Sequence, residues 1–222
     1  TQCKCLTKLE LHGVNCDIVD FFKLPALPFQ LRYLSLSSSK ISGTVENFNE
    51  DGLNFLRAHI STLNFLEIRA QLPNNMLDFA LKKFRVLRSL TLRLNMLPNA
   101  GTFYALKASR KSVKTLTLEG PYIDLHQITA ILKLYPATQA LSFDNFYVDF
   151  SPDLVAMVFE AASIHCPNLS ELTISRIPFL PPHVNFESLN VLRVKYINSI
   201  DDIISFFKNA KNLKALHVDF VF

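Results

Sequence analysis

The sequence predicts an α/β solenoid: a right-handed, horseshoe-shaped coil of strand-and-helix repeats, with a parallel sheet on its concave face and helices on its convex face. Three observations carry this expectation: an apolar six-residue pattern that occurs nine times, an alternation inside each occurrence, and helical apolar spacing between occurrences. The pattern is clear at Leu169, Leu172 and Ile174, the first, fourth and sixth places of LSELTI. Such spacing fits neither a long helix nor a plain alternating strand.

The nine units are LTKLEL from Leu6, LRYLSL from Leu31, LNFLEI from Leu63, LRSLTL from Leu87, VKTLTL from Val113, TQALSF from Thr138, LSELTI from Leu169, LNVLRV from Leu189 and LKALHV from Leu213. Successive starts lie 20 to 32 residues apart. Apart from two longer insertions, that is the period of leucine-rich repeats, roughly 20 to 29 residues. The last four residues of each unit alternate, so a short strand puts its leucines on one face and variable residues on the other.

The intervening segments carry helical spacing. Leu125, Ile128, Ile131, Leu132 and Tyr135 form one apolar stripe, and Leu154, Val155, Val158, Phe159 and Ala162 form another. Asp124 and Asp153 stand at helix starts, the latter just after Pro152. Longer helices are expected around residues 47–60 and 152–165. The unit from Leu169 is the exception, because Pro178, Pro181 and Pro182 forbid a normal helix and predict an extended or short 3₁₀ segment.

No unit can bury its leucines alone, so neighbours must stack with parallel strands joined by right-handed crossovers. Residues 1–222 are expected to form a single domain of about nine such repeats. The core runs along the chain, which accounts for 49% apolar residues and a mean hydropathy of +0.20 without a membrane. No run approaches the roughly 18 apolar residues of a spanning helix. The nineteen Phe residues are expected between strands and helices. A solenoid needs polar caps, and neither Leu6, Leu9 and Leu11 nor Phe220, Val221 and Phe222 supplies one, so a segment of a longer protein is expected.

Chemistry-bearing motifs are sparse. The five glycines are scattered and form no phosphate loop, and no carboxylate pair is fixed by local spacing. Cys3, Cys5, His12 and Cys16 carry metal-ligating atoms at a spacing unlike any standard zinc site, and the strand from Leu6 would hold them apart. His165 and Cys166 are adjacent, and adjacent helical residues do not face each other. A binding surface is therefore expected, with no catalytic residues, no metal and no cofactor.

That surface can be read from the leucine register, which fixes the outward strand positions. Tyr33 and Phe65 share a column on neighbouring strands, as do Arg69 and Arg93, followed in their column by Glu119 and Asp144, with Arg193 and Lys195 further along. Glu67 lies between Phe65 and Arg69. Aromatics beside arginines resemble the anchors of protein interfaces. Over the nine strands the outward positions carry five Lys or Arg and six acidic residues, so the net charge of +4 does not reside there, and nucleic acid is disfavoured as partner. The basic runs KKFRVLR and KASRKSVK fall at the ends of outer segments, where the helix dipole favours cations.

The run LVAMVFEAASIHCPNLSELTIS, residues 154–175, resembles the cysteine-containing leucine-rich repeat, whose outer helix ends in a Cys-Pro-x-Leu step. CKCLTKLELHGVNCDIVDFF, residues 3–22, is similar, with Cys5 before the strand and Cys16 near its end. Such repeats are best known from the F-box and leucine-rich-repeat proteins, substrate receptors of cullin-based ubiquitin ligases. The resemblance implies a substrate bound on this segment and a cullin-ligase adaptor engaged through an F-box before residue 1. An alternative is an inhibitor or sensor of the ribonuclease-inhibitor kind, whose solenoid wraps a partner without recruiting any enzyme.

Cysteine usage points to an intracellular protein. Cys3, Cys5 and Cys16 overlap the first repeat, where the N-terminal cysteine cap of secreted members would precede it, and Asn occurs only once, at Asn95, three places beyond a last strand leucine. All four thiols are expected to react with a thiol reagent after unfolding without reductant. Protection of any pair would establish a disulfide and with it the secreted reading.

Overall fold

The alternation of leucines with small or polar residues in each unit is satisfied by strands that bury one face, and the structure forms one at every unit. It is a computed structural model that describes residues 5–12, 30–37, 49–70, 74–94, 111–121, 124–144, 152–176, 183–197 and 200–221. The chain divides into two compact units, Thr1–Ala108 and Ser109–Phe222.

The first unit holds strands β1 (Lys8–His12), β2 (Tyr33–Ser37), β3 (Phe65–Ile68) and β4 (Ser89–Arg93). Its helices are α1 (Asn49–Ala58), between β2 and β3, and α2 (Asn74–Lys83), between β3 and β4. The second holds β5 (Thr115–Glu119), β6 (Ala140–Asp144), β7 (Glu171–Arg176), β8 (Val191–Ile197) and β9 (Ala215–Val221). Helices α3 (Leu125–Leu134), α4 (Pro152–His165) and α5 (Ile200–Asn209) return between them. In both units each strand pairs parallel with the next in sequence. The α/β solenoid expected from the repeats is what each unit forms.

One backbone contact recurs at the turn before the strands. The carbonyl at the second place of a unit accepts two consecutive N–H groups of the following one. Thr7 O accepts from Arg32 and Tyr33 at 2.8 and 3.0 Å, Arg32 O from Asn64 and Phe65, and Asn64 O from Arg88 and Ser89. Lys114, Gln139, Ser170 and Asn190 repeat it in the second unit. Pairing is thereby held at zero offset: Leu34 lies beside Leu66 and Leu66 beside Leu90.

The leucine face is buried on the strands between β1 and β9, whose own Leu9, Leu11 and Leu216 are half-buried. Leu34, Leu36, Leu66, Ile68, Leu90, Leu92, Leu116, Leu118, Leu172 and Leu192 are all buried. Four Phe residues of the second unit interleave as expected: Phe143 of β6 meets Phe159 of α4 at 6.0 Å, Phe159 meets Phe186 at 6.3 Å, and Phe186 meets Phe206 of α5 at 6.1 Å, whereas Phe207 of α5 is exposed, against the expectation. Thr138 takes a leucine place and is fully buried, because its hydroxyl donates to Tyr135 O at 2.7 Å and leaves no unmet polar group.

Helix starts follow the sequence signals. Asp124 caps α3, its carboxylate accepting from the N–H groups of His126 and Gln127 at 2.9 and 3.1 Å. Pro152 opens α4 and Asp153 lies in its first turn. Among the described residues between β7 and β8, 183–190, there is no helix. The prolines at 178, 181 and 182 lie outside the described residues.

A second column runs where each outer segment turns into its strand. Phe84, Tyr135, Cys166, Phe186 and Ala210 each stand three residues before a unit start, and all are buried. The carbonyls of Tyr135, Cys166, Phe186 and Ala210 accept the N–H of the residue opening the next unit. The cysteine of the Cys-Pro-x-Leu step is thus one occupant of a place that also takes aromatic rings and alanine. His59 performs this role one residue earlier. Its carbonyl accepts the Leu63 N–H at 3.0 Å, and its Nδ1 accepts the Leu31 N–H of the preceding repeat at 3.2 Å.

Burial holds the His59 imidazole below its ordinary pKa, so the folded state favours the neutral ring. Because the folded value is depressed, this stability is present above the unfolded value, about 6.5, and is lost as pH falls below it. Thermal melts at pH 7.5 and pH 5 should show His59→Gln less acid-sensitive than the parent, since glutamine keeps an acceptor without titrating. An equal loss on acidification in both proteins would show that His59 does not carry the effect.

Candidate partner-binding face

The register that aligns the leucines also aligns the residues between them, so each sheet face carries side chains in columns. In the first unit the leading column is Lys8, Tyr33, Phe65 and Ser89. Parallel strands lie about 4.8 Å apart, and aromatic rings on neighbouring strands fill that spacing. The Tyr33 and Phe65 rings stack with centroids 4.2 Å apart and planes 4° from parallel. Lys8 Nζ lies 4.7 Å over the Tyr33 ring, completing a three-layer stack.

The middle column, Glu10, Ser35, Glu67 and Thr91, departs from the solvent-facing expectation. Ser35 is fully buried, and Glu67 and Thr91 are buried as well. On the same face Tyr33 and Phe65 stand two residues before Ser35 and Glu67, and Arg69 two residues after Glu67. Glu67 compensates its charge locally: Arg69 Nη1 lies 2.6 Å from its Oε1, an ion pair without the geometry of a linear hydrogen bond. Lys8 Nζ pairs with Glu10 at 2.9 Å. The Lys8 contact holds Glu10 below the usual carboxylate range.

Arg69 and Arg93 follow Ile68 and Leu92, which are register partners, so they stand side by side at the ends of β3 and β4. Both are half-buried. Of the nine residues read from the sequence as partner-binding, the first unit therefore gathers Tyr33, Phe65, Glu67, Arg69 and Arg93 on one patch.

The second unit carries the other four. Glu119 and Asp144 are register partners on β5 and β6, but Glu119 is buried, against the expectation of a solvent-facing acid. Asp144 is half-buried and accepts from Ser142 Oγ at 3.2 Å. Gly120, with φ of 156°, an angle that favours glycine, donates its N–H to Asp144 O at 3.2 Å. Arg193 and Lys195 are exposed on β8, with Lys195 Nζ 5.3 Å over the Tyr196 ring.

The cysteines that the structure describes do not build a reactive site. Cys5 is exposed and Cys166 buried, and both are free thiols. Burial pushes the Cys166 thiol up to about 12, which leaves it protonated and inert at neutral pH. Cys3 and Cys16 lie outside the described residues. Among the described residues, no three His, Cys, Asp or Glu side chains could hold a metal ion, and no helix is long and apolar enough to cross a membrane. Lys82 and Lys83 fall in the last turn of α2, where the helix dipole favours cations.

One feature had no signature in the repeat pattern. A cavity of about 190 Å³ lies where α4 ends, lined by residues including Ser163, Cys166, Asn185, Phe186 and Glu187. Its rim is partly self-bonded, with Ser188 Oγ donating to Pro167 O and Asn185 Nδ2 to Glu187 Oε1.

No family model matches the chain, and no curated protein sequence matches it. Among solved structures the chain is similar to the leucine-rich-repeat-containing protein LegL7 from Legionella pneumophila. The TM-score is 0.53 at 12% identity, over 96% of this chain and 83% of that one. At that identity the likeness is one of fold. With the parallel strands and returning helices, it establishes the α/β leucine-rich-repeat solenoid.

The Tyr33 phenol is raised above its ordinary value, first by burial and then by the charges of Glu67 and Glu10. An alkaline ultraviolet titration, taken as the difference between the parent and Tyr33→Phe, should place its midpoint above that of free tyrosine. The midpoint should fall in Glu67→Gln. A midpoint at or below the free value would show that the ring is not held against these carboxylates.

Proposed function

We propose that the chain is a non-enzymatic, intracellular protein-binding module whose partner docks on the sheet face, and that it serves as the substrate-recognition part of an F-box-type ubiquitin ligase receptor. The observation that carries the binding reading is the half-exposed Tyr33–Phe65 stack beside Arg69 and Arg93. Large planar side chains and arginines contribute most interface energy, and here they are pre-ordered by stacking, so little side-chain entropy is lost on docking. The second unit has its own exposed cations on the sheet face, Arg193 and Lys195. Protein fits better than nucleic acid, because Glu10 and Glu67 already engage Lys8 and Arg69.

The ligase role rests on the Cys-Pro-x-Leu step at Cys166 and requires an F-box and a cullin-ligase adaptor. Co-purification of the adaptor with the natural full-length protein tests it. The helix-turn column, where Phe84, Tyr135, Phe186 and Ala210 take the place that Cys166 holds once, weighs against the cysteine-repeat argument, and the alternative is an inhibitor or sensor scaffold of the ribonuclease-inhibitor kind.

Replacing Tyr33, Phe65, Arg69 or Arg93 singly with Ala should weaken partner capture while keeping the fold, with an anchor's loss costing roughly 2 kcal/mol or more. Leu90→Ala is the contrast: Leu90 is fully buried, and the cavity should cost about 2 to 5 kcal/mol of stability. Pull-downs beside thermal melts check both. Undiminished capture by all four surface variants, with loss on substituting Lys82, Lys83 and Arg85, would place the site on the helical side.

A further inference from the structure

The stack on the first unit is closed on one side and open on the other. Lys8 covers the outer face of Tyr33. Phe65 is parallel to Tyr33 within 4°, so its second face points along the column toward β4, where its register partner is Ser89. Serine reaches too little to cover a phenyl ring. Phe65 and Ser89 are both half-buried. A slot walled on one side by Phe65 therefore lies above Ser89.

The charges around the slot are uneven. Arg88 is exposed just before Ser89, and Arg93 stands at the far end of the same strand beside Arg69. Against these three cations the described residues of β2, β3 and β4 set one carboxylate, Glu67, which Arg69 already engages, and Glu10 of β1 is paired with Lys8. From Ser89 to Arg93 is four strand residues, about 13 Å at roughly 3.3 Å each. The distance between slot and arginine pair is thus four residues of extended peptide.

We propose that this face binds an extended acidic peptide segment of a partner protein, with an aromatic side chain stacked on Phe65 above Ser89 and a carboxylate four residues away held by Arg69 and Arg93. This deepens the sheet-face reading and rests on it. An incoming aromatic gains an offset or parallel stack without displacing any side chain, and the carboxylate meets planar guanidinium donors suited to it. A nucleic-acid strand would also stack a base there, but its continuous phosphates would run past Glu10 and Glu67. A single carboxylate at the strand ends avoids both.

The test is a selection of random peptides displayed on phage against the 222-residue chain, followed by affinity measurement of the enriched peptides on variants. Ser89→Trp fills the slot by extending the stack, and Arg93→Glu reverses the charge at the other end. Both positions are partly exposed, and thermal melts establish that the variants fold. The expected result is enrichment of an aromatic with an acidic residue four places away, and at least a tenfold weaker Kd on each variant. Peptides that bind equally to Ser89→Trp and Arg93→Glu but lose affinity on Tyr33→Ala or Arg193→Ala would overturn the slot and leave the sheet-face reading standing. Peptides indifferent to all four would overturn both. Enrichment of basic sequences, no enrichment at all, or tighter binding of a poly(U) oligonucleotide that Ser89→Trp abolishes would each overturn the proposal.

Discussion

A single carbonyl shared by two N–H groups of the next repeat sets the geometry of both units. Because the same place in each six-residue pattern supplies it, each strand starts level with its neighbour. The lengths between starts then cease to matter: 20 residues with several prolines and 32 residues with a helix enter the sheet at the same place. Loop-closure cost grows slowly with length, so the outer segments vary while the strands do not. Everything on the sheet face inherits that alignment. Residues remote in sequence become neighbours because they hold the same place in the pattern.

Alignment explains why the stack forms and why the acids beneath it are tolerated. Two rings in one column on adjacent parallel strands find a separation close to stacking distance, and the 4.2 Å between their centroids follows from the strand spacing. Covering the middle column desolvates Glu67, a cost that Arg69 offsets from two residues along the same strand. Side chains two apart on a strand project from the same face, so the compensating charge is local to β3. The patch is ordered and close to neutral at its centre, with its cations at the edge.

Much of this was legible in the sequence, and the limits have physical causes. The units, the outward columns, the cap at Asp124, the start at Pro152 and the longer helix before β7 follow from periodicity and local chemistry, which act within a few residues; the helix before β3 was expected to be long as well, but its described part, Asn49–Ala58, matches α2, α3 and α5 in length. Burial of Ser35, Glu67, Thr91 and Glu119 was not legible, because period two tells which face a residue takes but not how deep it lies. Depth depends on the size of side chains two strands away. A signal existed: Ser35 and Thr91 flank Glu67 in its column, and small neighbours let larger ones close over it. The turn column was half-legible. Cys166 drew notice as a cysteine before a proline, whereas Phe84, Tyr135, Phe186 and Ala210 share its offset from the next unit and differ only in chemistry.

That column also bears on what kind of repeat this is. A place that accepts phenyl, phenol, thiol and methyl groups selects for apolar fit at the helix-to-strand turn, and the polar contacts of the Cys166 sulfur are weak ones, with Tyr135 O at 4.0 Å and with the Thr138 side chain. His59 shows the same place under a different constraint: displaced by one residue, it supplies an acceptor to Leu31 N–H, tying consecutive repeats through a side chain where elsewhere packing suffices. Repeat identity therefore resides in the backbone contact and the leucines. The occupants of the turn are free to diverge, and so are the face columns, since neither enters the register. Divergence of the face is what lets one unit present stacked aromatics while the leading column of the other, Thr115, Ala140, Glu171, Val191 and Ala215, presents none.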